Sequence, residues 1–388
     1  MVDTHMDIEA IRREIPAVQG RSYLNMSYGP KPRAVTDEVI RMTRLISEAG
    51  PLAPPVVDEI DRVYEGARVD MAGLLGASTK EIALTRNVSE GINMVATGID
   101  WAPGDEVIIT DEEHPAGSLP WMNLAKRRGV VVRKLKLAPY ETEGLLDRLD
   151  ELITERTRLV CLSHVATKTG YLVPAREVCD LARGRSVPVL LDGAHAVGLI
   201  PVDVKEIGAN YYSGCGHKWL LAPQGTGFLY VDEDYIDSLE LGWIGANSTE
   251  TWNLDTLEFA PLDSAAKFEF GTRDRAVFGA LSVAIRSAKE IGIENIAERS
   301  WKLTKRLRDG ASKIPGLRAE SSPDPRRSTA ISRFDTSAFE RPDLMDWFWD
   351  EHRIIVAARD AWMRISTPYF VLEEEIDRFV SALGELQP

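Results

Sequence analysis

Residues 187–221, VPVLLDGAHAVGLIPVDVKEIGANYYSGCGHKWLL, decide how the chain is read. The run Val187-Pro188-Val189-Leu190-Leu191 is short, apolar and β-branched, the pattern of a strand buried in a parallel sheet, and it ends in Asp192. Ligands of open α/β sheets bind beyond the carboxyl ends of the strands, so Asp192 stands where a ligand would lie. Farther on, Tyr211-Tyr212-Ser213-Gly214-Cys215-Gly216-His217-Lys218 sets a lysine among small residues that allow close backbone approach. Alone, a strand-end aspartate most often caps a turn and a lysine is most often solvated; their combination is the informative observation.

Outward from this stretch, strands and helices alternate. Residues 158–165 read as a buried strand that opens into the loop Ala166-Thr167-Lys168-Thr169-Gly170, and 173–183 as the helix that returns the chain to the central strand. Glu106-Val107-Ile108-Ile109-Thr110 is a short strand delivering His114, which Pro115 biases towards an extended backbone. Ile82-Ala83-Leu84-Thr85 runs into the turn Arg86-Asn87-Val88-Ser89-Glu90-Gly91, and Ile92, Val95, Ala96 and Ile99 then share a helical face. Ser89 is expected at the N-cap, where a helix start aims free N–H groups and a positive dipole end at an anion. Trp121 is expected to begin a helix leading to a strand at 130–135, and 225–231 is another strand. Helical spacing covers 34–49 and 56–75, separated by Gly50-Pro51-Leu52-Ala53-Pro54-Pro55, and 241–261 reads as a loop-like, flexible rim. This order predicts an α/β fold, a doubly wound and mostly parallel sheet, divided as an N-terminal arm (1–30), a large domain (31–280) and a smaller α+β C-terminal domain (281–388).

At 388 residues the chain is long enough for two domains sharing a substantial core. Its formal net charge of −14 disfavours nucleic-acid and anionic-membrane partners. Three cysteines, Cys161, Cys179 and Cys215, are too few and scattered for a disulfide framework or a zinc site, so no metal is expected. No apolar run is long enough to cross a bilayer and no signal pattern opens the chain, so a cytoplasmic location is expected.

A strand-end carboxylate and a lysine in a glycine-rich loop are what pyridoxal phosphate requires: an acid to keep the pyridine nitrogen protonated and an amine to form the Schiff base. DGAHAVG followed by SGCGHKWLLAPQGTGFLYV resembles the signature of the class V aminotransferase family, fold type I enzymes dependent on pyridoxal phosphate. The wording DGAH, HKW and GTRD looks most like the isopenicillin N epimerase branch, with cysteine desulfurases as relatives. The likeness runs from Tyr23-Leu24-Asn25 to Arg364-Ile365-Ser366.

The resemblance assigns roles residue by residue. Lys218 carries the cofactor, Asp192 faces its ring nitrogen and His114 stacks on the ring. The backbone amides of Val88, Ser89 and Glu90, with the Ser89 hydroxyl, hold the phosphate. Thr167 stands where many relatives have an asparagine on the phenolic oxygen, His195 lies near that oxygen, and His217 near the phosphate. Cys215 stands where many relatives have a phosphate-binding serine, and a thiol is the poorer donor. Gly271 and Thr272 are implied to reach into a partner subunit's phosphate pocket, hence a homodimer; read from the residues alone, they are a turn before a helix. Asn25 and Tyr28 are implied substrate contacts, or simply close a turn. Arg364 lies in an apolar strand-like setting where an unpaired guanidinium is expensive. Its partner is a structural acid or, by resemblance, the substrate α-carboxylate.

The resemblance implies an enzyme acting at the α-carbon of a small amino-acid substrate. The tract Arg353-Ile354-Ile355-Val356-Ala357-Ala358-Arg359-Asp360 lacks the mobile cysteine that desulfurases need, which argues against persulfide formation. C–S β-elimination on an S-substituted cysteine is the first expectation, the resembled branch being rich in such lyases of secondary metabolism. Amino transfer, epimerisation and decarboxylation-linked deamination are the alternatives. A non-catalytic scaffold on the same fold is the rival class, and it has no need of Lys218, Asp192, His114 and Arg364 together.

Overall fold

The computed structural model describes residues 6–322, 324–339, 343–359 and 361–386; residues 1–5 of the expected arm lie outside them. Seven strands build the central sheet in the order Ile82–Thr85, Gly227–Val231, Tyr211–Cys215, Val189–Asp192, Thr157–Ser163, Glu106–Thr110, Val131–Leu135. From Tyr211–Cys215 to Val131–Leu135 all neighbours are parallel, while Gly227–Val231 is antiparallel to both of its neighbours. The strands are apolar at successive positions because both sheet faces are covered. Val160, Leu162, Val189 and Leu191 enter one core, and Leu159, Cys161 and Leu190 enter the other. Cys161 and Cys179 are free, buried thiols acting as small hydrophobes.

The chain leaves Glu106–Thr110 for Val131–Leu135 on one side and then returns to Thr157–Ser163 on the other. That reversal opens a crevice beyond the carboxyl ends of the strands, the place where doubly wound sheets take their ligands. A second sheet, antiparallel and four-stranded, runs Arg318–Ala319, Ile331–Asp335, Trp362–Ser366, Ala357–Arg359 and carries Arg364. One apolar core holds Phe278 of the helix Val277–Ile291 together with Phe334 and Ile365 of this sheet, so the two layers share an interior.

The N-terminal arm is built into the C-terminal part. Arg12, in the helix Ile8–Arg13, donates to both carboxylate oxygens of Glu375, at 2.8 and 3.2 Å, and to the Phe370 carbonyl at 2.9 Å. Ser22–Tyr23 then pairs in parallel with Ile354–Ile355. Beyond this pair the Gly29 amide donates to the His217 carbonyl at 2.7 Å. A Cβ at Gly29 would stand 2.2 Å from the Lys218 carbonyl oxygen, so only glycine fits there.

Two expectations are corrected. Trp121 lies inside the helix Pro115–Arg128, which tolerates Pro120 within it. The stretch 241–261 is not simply loop: Thr249–Asn253 and Glu258–Pro261 form an antiparallel hairpin, with Trp252, Leu254, Leu257 and Phe259 exposed. Among the described residues no helix is long and apolar enough to cross a membrane.

Candidate active site

Loops leaving five strand ends meet the arm and the second sheet at a cavity of about 500 Å³. Asp192 ends its strand at the cavity floor, buried, with Oδ1 accepting the Ala194 amide at 2.8 Å. Burial pushes this carboxyl above the usual carboxylate range, while Lys218 and the Ala194 amide pull it back down. Such a carboxylate is completed by a cation.

Lys218 follows the strand Tyr211–Cys215, and its Nζ lies 3.1 Å from His195 Nε2. The same ring nitrogen is 3.2 Å from the Thr167 hydroxyl. His114 is extended (φ −65°, ψ 153°) as expected before proline, and its Nδ1 accepts the Ala116 amide at 3.1 Å. Burial, helped by Lys218 and Arg364, pushes its imidazole down to about 4, so the ring is neutral at physiological pH.

The anion-binding turn is correct in place and shifted in detail. Asn87, not Ser89, is the N-cap of the helix Val88–Gly98, and its side chain accepts the Glu90 amide at 3.0 Å. The Glu90 carboxylate in turn takes the Arg86 amide at 2.6 Å and its guanidinium at 2.8 Å. Glu90 is therefore occupied within the protein, whereas the amides of Val88 and Ser89, the first two of the helix, remain for a ligand. Gly91 lets this helix touch the sheet, since a Cβ there would stand 2.3 Å from the Ser213 hydroxyl.

His217 lines the cavity with its ring 5.3 Å from that of Tyr28, and its Nδ1 is buried with no hydrogen-bond partner among the described residues. Burial lowers this imidazole to about 4. Cys215 also lines the cavity, but its thiol is directed at the Ala194 carbonyl 3.9 Å away, and burial pushes it up to about 11.

Arg364 reaches in from the second sheet. It donates to the Thr167 carbonyl at 2.9 Å, the Thr167 hydroxyl at 3.2 Å and the Ser27 hydroxyl at 2.5 Å. No carboxylate among the described residues pairs with it, so the structural acid allowed by its sequence setting is not there. Burial lowers its proton affinity, and an anion entering the cavity would offset that.

Other expected residues stand apart from this cavity. Asn25 does not line it: its side chain donates to the Val356 carbonyl at 3.3 Å and accepts the Ser27 amide at 3.0 Å. It positions Ser27, which the sequence reading passed over although it lies two residues away. Gly271 has no atom of the described residues within 4 Å of an added Cβ, and Thr272 is exposed; neither borders the cavity. Asn87, Trp219, Gln224 and Gly225 were also missed, the last two lining the cavity beside Lys218.

Pyridoxal phosphate fits this donor set. It has an anion at one end for two free helix amides and an unpartnered imidazole nitrogen, and a basic ring nitrogen at the other for Asp192. Residues 30–375 match the family model described as aminotransferase class V. The chain belongs to this family. Among class V proteins it is 33% identical over 375 residues to an isopenicillin N epimerase of Amycolatopsis lactamdurans, covering 93% of each chain. It is 34% identical over 348 residues to a probable cysteine desulfurase of Methanothermobacter thermautotrophicus, covering 87% of this chain and 84% of the other. Among solved structures, the cystine C–S lyase C-DES in complex with its product cysteine persulfide superposes with a TM-score of 0.89 at 25% identity, covering 96% of this chain and 100% of that one. The cysteine desulfurase CsdA of Escherichia coli gives 0.87 at 27% identity, covering 97% and 98%. The expected class V membership, fold type I architecture and pyridoxal phosphate-dependent enzyme class stand with these findings.

Proposed function

We propose that the chain acts at the α-carbon of an amino acid and that its first reaction is C–S β-elimination on an S-substituted cysteine. The observation that carries the amino-acid assignment is Arg364: a half-buried guanidinium with no acidic partner among the described residues, opening onto the same cavity as Lys218 and Asp192. It holds the substrate carboxylate, with Ser27 and Thr167 fixing its plane. When bound, the cofactor supplies an aldehyde for the amino group and a cationic ring that accepts electrons from the α-carbon. Asp192 holds that charge, the Val88 and Ser89 amides with His217 hold the phosphate, and His114 forms one wall. Lys218 Nζ moves the proton at the α-carbon.

Elimination is favoured over desulfuration through a persulfide on an enzyme cysteine because the tract before Arg364 is structured as the short strands Ile354–Ile355 and Ala357–Arg359 and carries no cysteine; Asp360 lies outside the described residues. The likeness to a cystine C–S lyase supports the same reading. Epimerisation is the second reading, supported by 33% identity to an isopenicillin N epimerase. On either reading Gly271 and Thr272 serve a partner's phosphate site in a homodimer, residues 31–280 hold the cofactor and 281–388 bring the arginine.

The test is a screen of amino acids and cysteine S-conjugates for spectral change, followed by assay of pyruvate, ammonia and thiol. Pyruvate with thiol is expected. A keto acid with aminated cofactor means transamination instead, and an inverted α-carbon without either means epimerisation. A cofactor band that survives in Lys218→Ala would sink the assignment of the lysine.

A further inference from the structure

Trp219 directly follows Lys218 in the chain. The Trp219 indole N–H donates to His195 Nδ1 at 3.1 Å. Both side chains are buried, at 2% and 3% exposure. An indole nitrogen is only a donor, so His195 Nδ1 must be an acceptor. The ring then carries its hydrogen on Nε2. It carries only one, because burial drives its protonation well below the usual histidine range, and Lys218, Arg364, His114 and His217 act in the same direction. Nε2 in turn stands 3.1 Å from Lys218 Nζ and 3.2 Å from Thr167 Oγ1. That hydroxyl already accepts from Arg364 Nη1 at 3.2 Å.

A donor facing Nζ stabilises the form of that nitrogen that keeps its lone pair over the form with one more proton. The opposite tautomer would do the reverse, with its Nε2 lone pair accepting from the lysine ammonium. We propose that Trp219 is a positioning residue: its N–H fixes His195 as an Nε2–H donor towards the Lys218 nitrogen, so that this nitrogen yields its proton to solvent more readily. The proposal rests on the pyridoxal phosphate reading and deepens it. An amine that attacks a carbonyl carbon or takes a proton needs a free lone pair. The tryptophan acts on that lone pair from two hydrogen bonds away.

Two measurements test it. In the first, the purified wild-type holoenzyme is labelled with nitrogen-15 histidine and read by long-range nitrogen–proton correlation, with His195 assigned by its loss in His195→Gln. Protonated Nε2 beside bare Nδ1 is expected; protonated Nδ1, or an imidazolium, overturns the proposal without any Trp219 variant having to fold. In the second, the absorbance of the lysine-bound cofactor is titrated against pH in wild type, Trp219→Phe, His195→Gln and the double variant. Trp219→Phe is expected to raise the midpoint by about one pH unit, the effect of a hydrogen bond of ordinary strength. It is expected to add nothing once His195 is glutamine. A wild-type midpoint in Trp219→Phe, or an equal shift in the His195→Gln background, overturns the proposal and leaves Trp219 a packing residue. Failure of the underlying reading looks different: the wild type then acquires no absorbance that Lys218→Ala removes, and the role falls with it.

Discussion

Arg364 donates to the Ser27 hydroxyl at 2.5 Å, joining the second sheet to the N-terminal arm across the mouth of the cavity. Among the described residues the guanidinium is held by hydroxyl and carbonyl oxygens alone, which fix its orientation and leave it without a paired carboxylate. Arg364→Lys keeps a cation and loses the fork. The expected outcome is a loss of about 1.5–3 kcal/mol in transition-state binding, about 10- to 150-fold in kcat/KM and mostly in KM, with cofactor absorbance unchanged. Steady-state kinetics on the best substrate of the screen check it, and an unaltered KM would contradict carboxylate capture at this residue.

Glu113 gives a pH prediction. Its buried carboxylate accepts from the Ser163 amide at 3.0 Å, the Ser163 hydroxyl at 2.6 Å and the Thr110 hydroxyl at 2.5 Å. Burial nevertheless pushes it up to about 7 from an ordinary 4.5. A group raised on folding contributes stability in full below its unfolded value and loses it as pH rises through the folded one. Glu113→Gln, which cannot ionise, is therefore expected to gain on wild type between pH 5 and pH 8, by roughly 3 kcal/mol at most. Melting temperatures across that range check it; a constant difference would mean that the carboxyl does not titrate there.

Two glycines are expected to part company. Gly29→Ala forces a methyl onto the Lys218 carbonyl and is expected to cost about 1–3 kcal/mol of stability and to lower kcat by displacing the lysine loop. Gly271→Ala meets nothing within 4 Å among the described residues and is expected to leave the melting temperature of the cofactor-free protein unchanged. If the homodimer reading holds, it loosens the cofactor of the partner subunit. Cofactor Kd beside sedimentation of both variants separates these effects, and a Gly271→Ala protein with undiminished cofactor retention would speak against a shared site.

Cys215→Ser offers a stronger donor in a place that already lines the cavity. The expected gain is about 1 kcal/mol, about fivefold in cofactor Kd, measured by release on dilution. An unchanged Kd would mean that residue 215 bonds only to the Ala194 carbonyl.

The sheet and much of the site were legible because each depended on local pattern. Val189 to Leu191 is apolar on both faces, and that alone marks a central strand; Lys218 and Arg364 stood out as charges in apolar or glycine-rich settings. Strand direction was not legible: nothing in Gly227–Val231 distinguishes an antiparallel strand from a parallel one. The helix start was off by two residues because Asn87 and Ser89 are both good caps and the face of Ile92, Val95 and Ala96 does not fix the first turn. Pro120 hid the middle of its helix, and the hairpin at 249–261 showed no alternation because neither of its faces meets a core. Ser27 and Trp219 were invisible for another reason. Each works through a contact with a residue far along the chain or with a ring whose tautomer no sequence pattern records.

The backbone from Ser22 to Gly29 is moored at both ends, to Ile354–Ile355 on one side and to the His217 carbonyl on the other. On the proposed function, a carboxylate seated on Arg364 would bear on a short tether whose far end is the lysine's own loop. Catching the substrate and aiming the amine that must work on it would then be mechanically one act, and a chain cut behind this tether would lose both together.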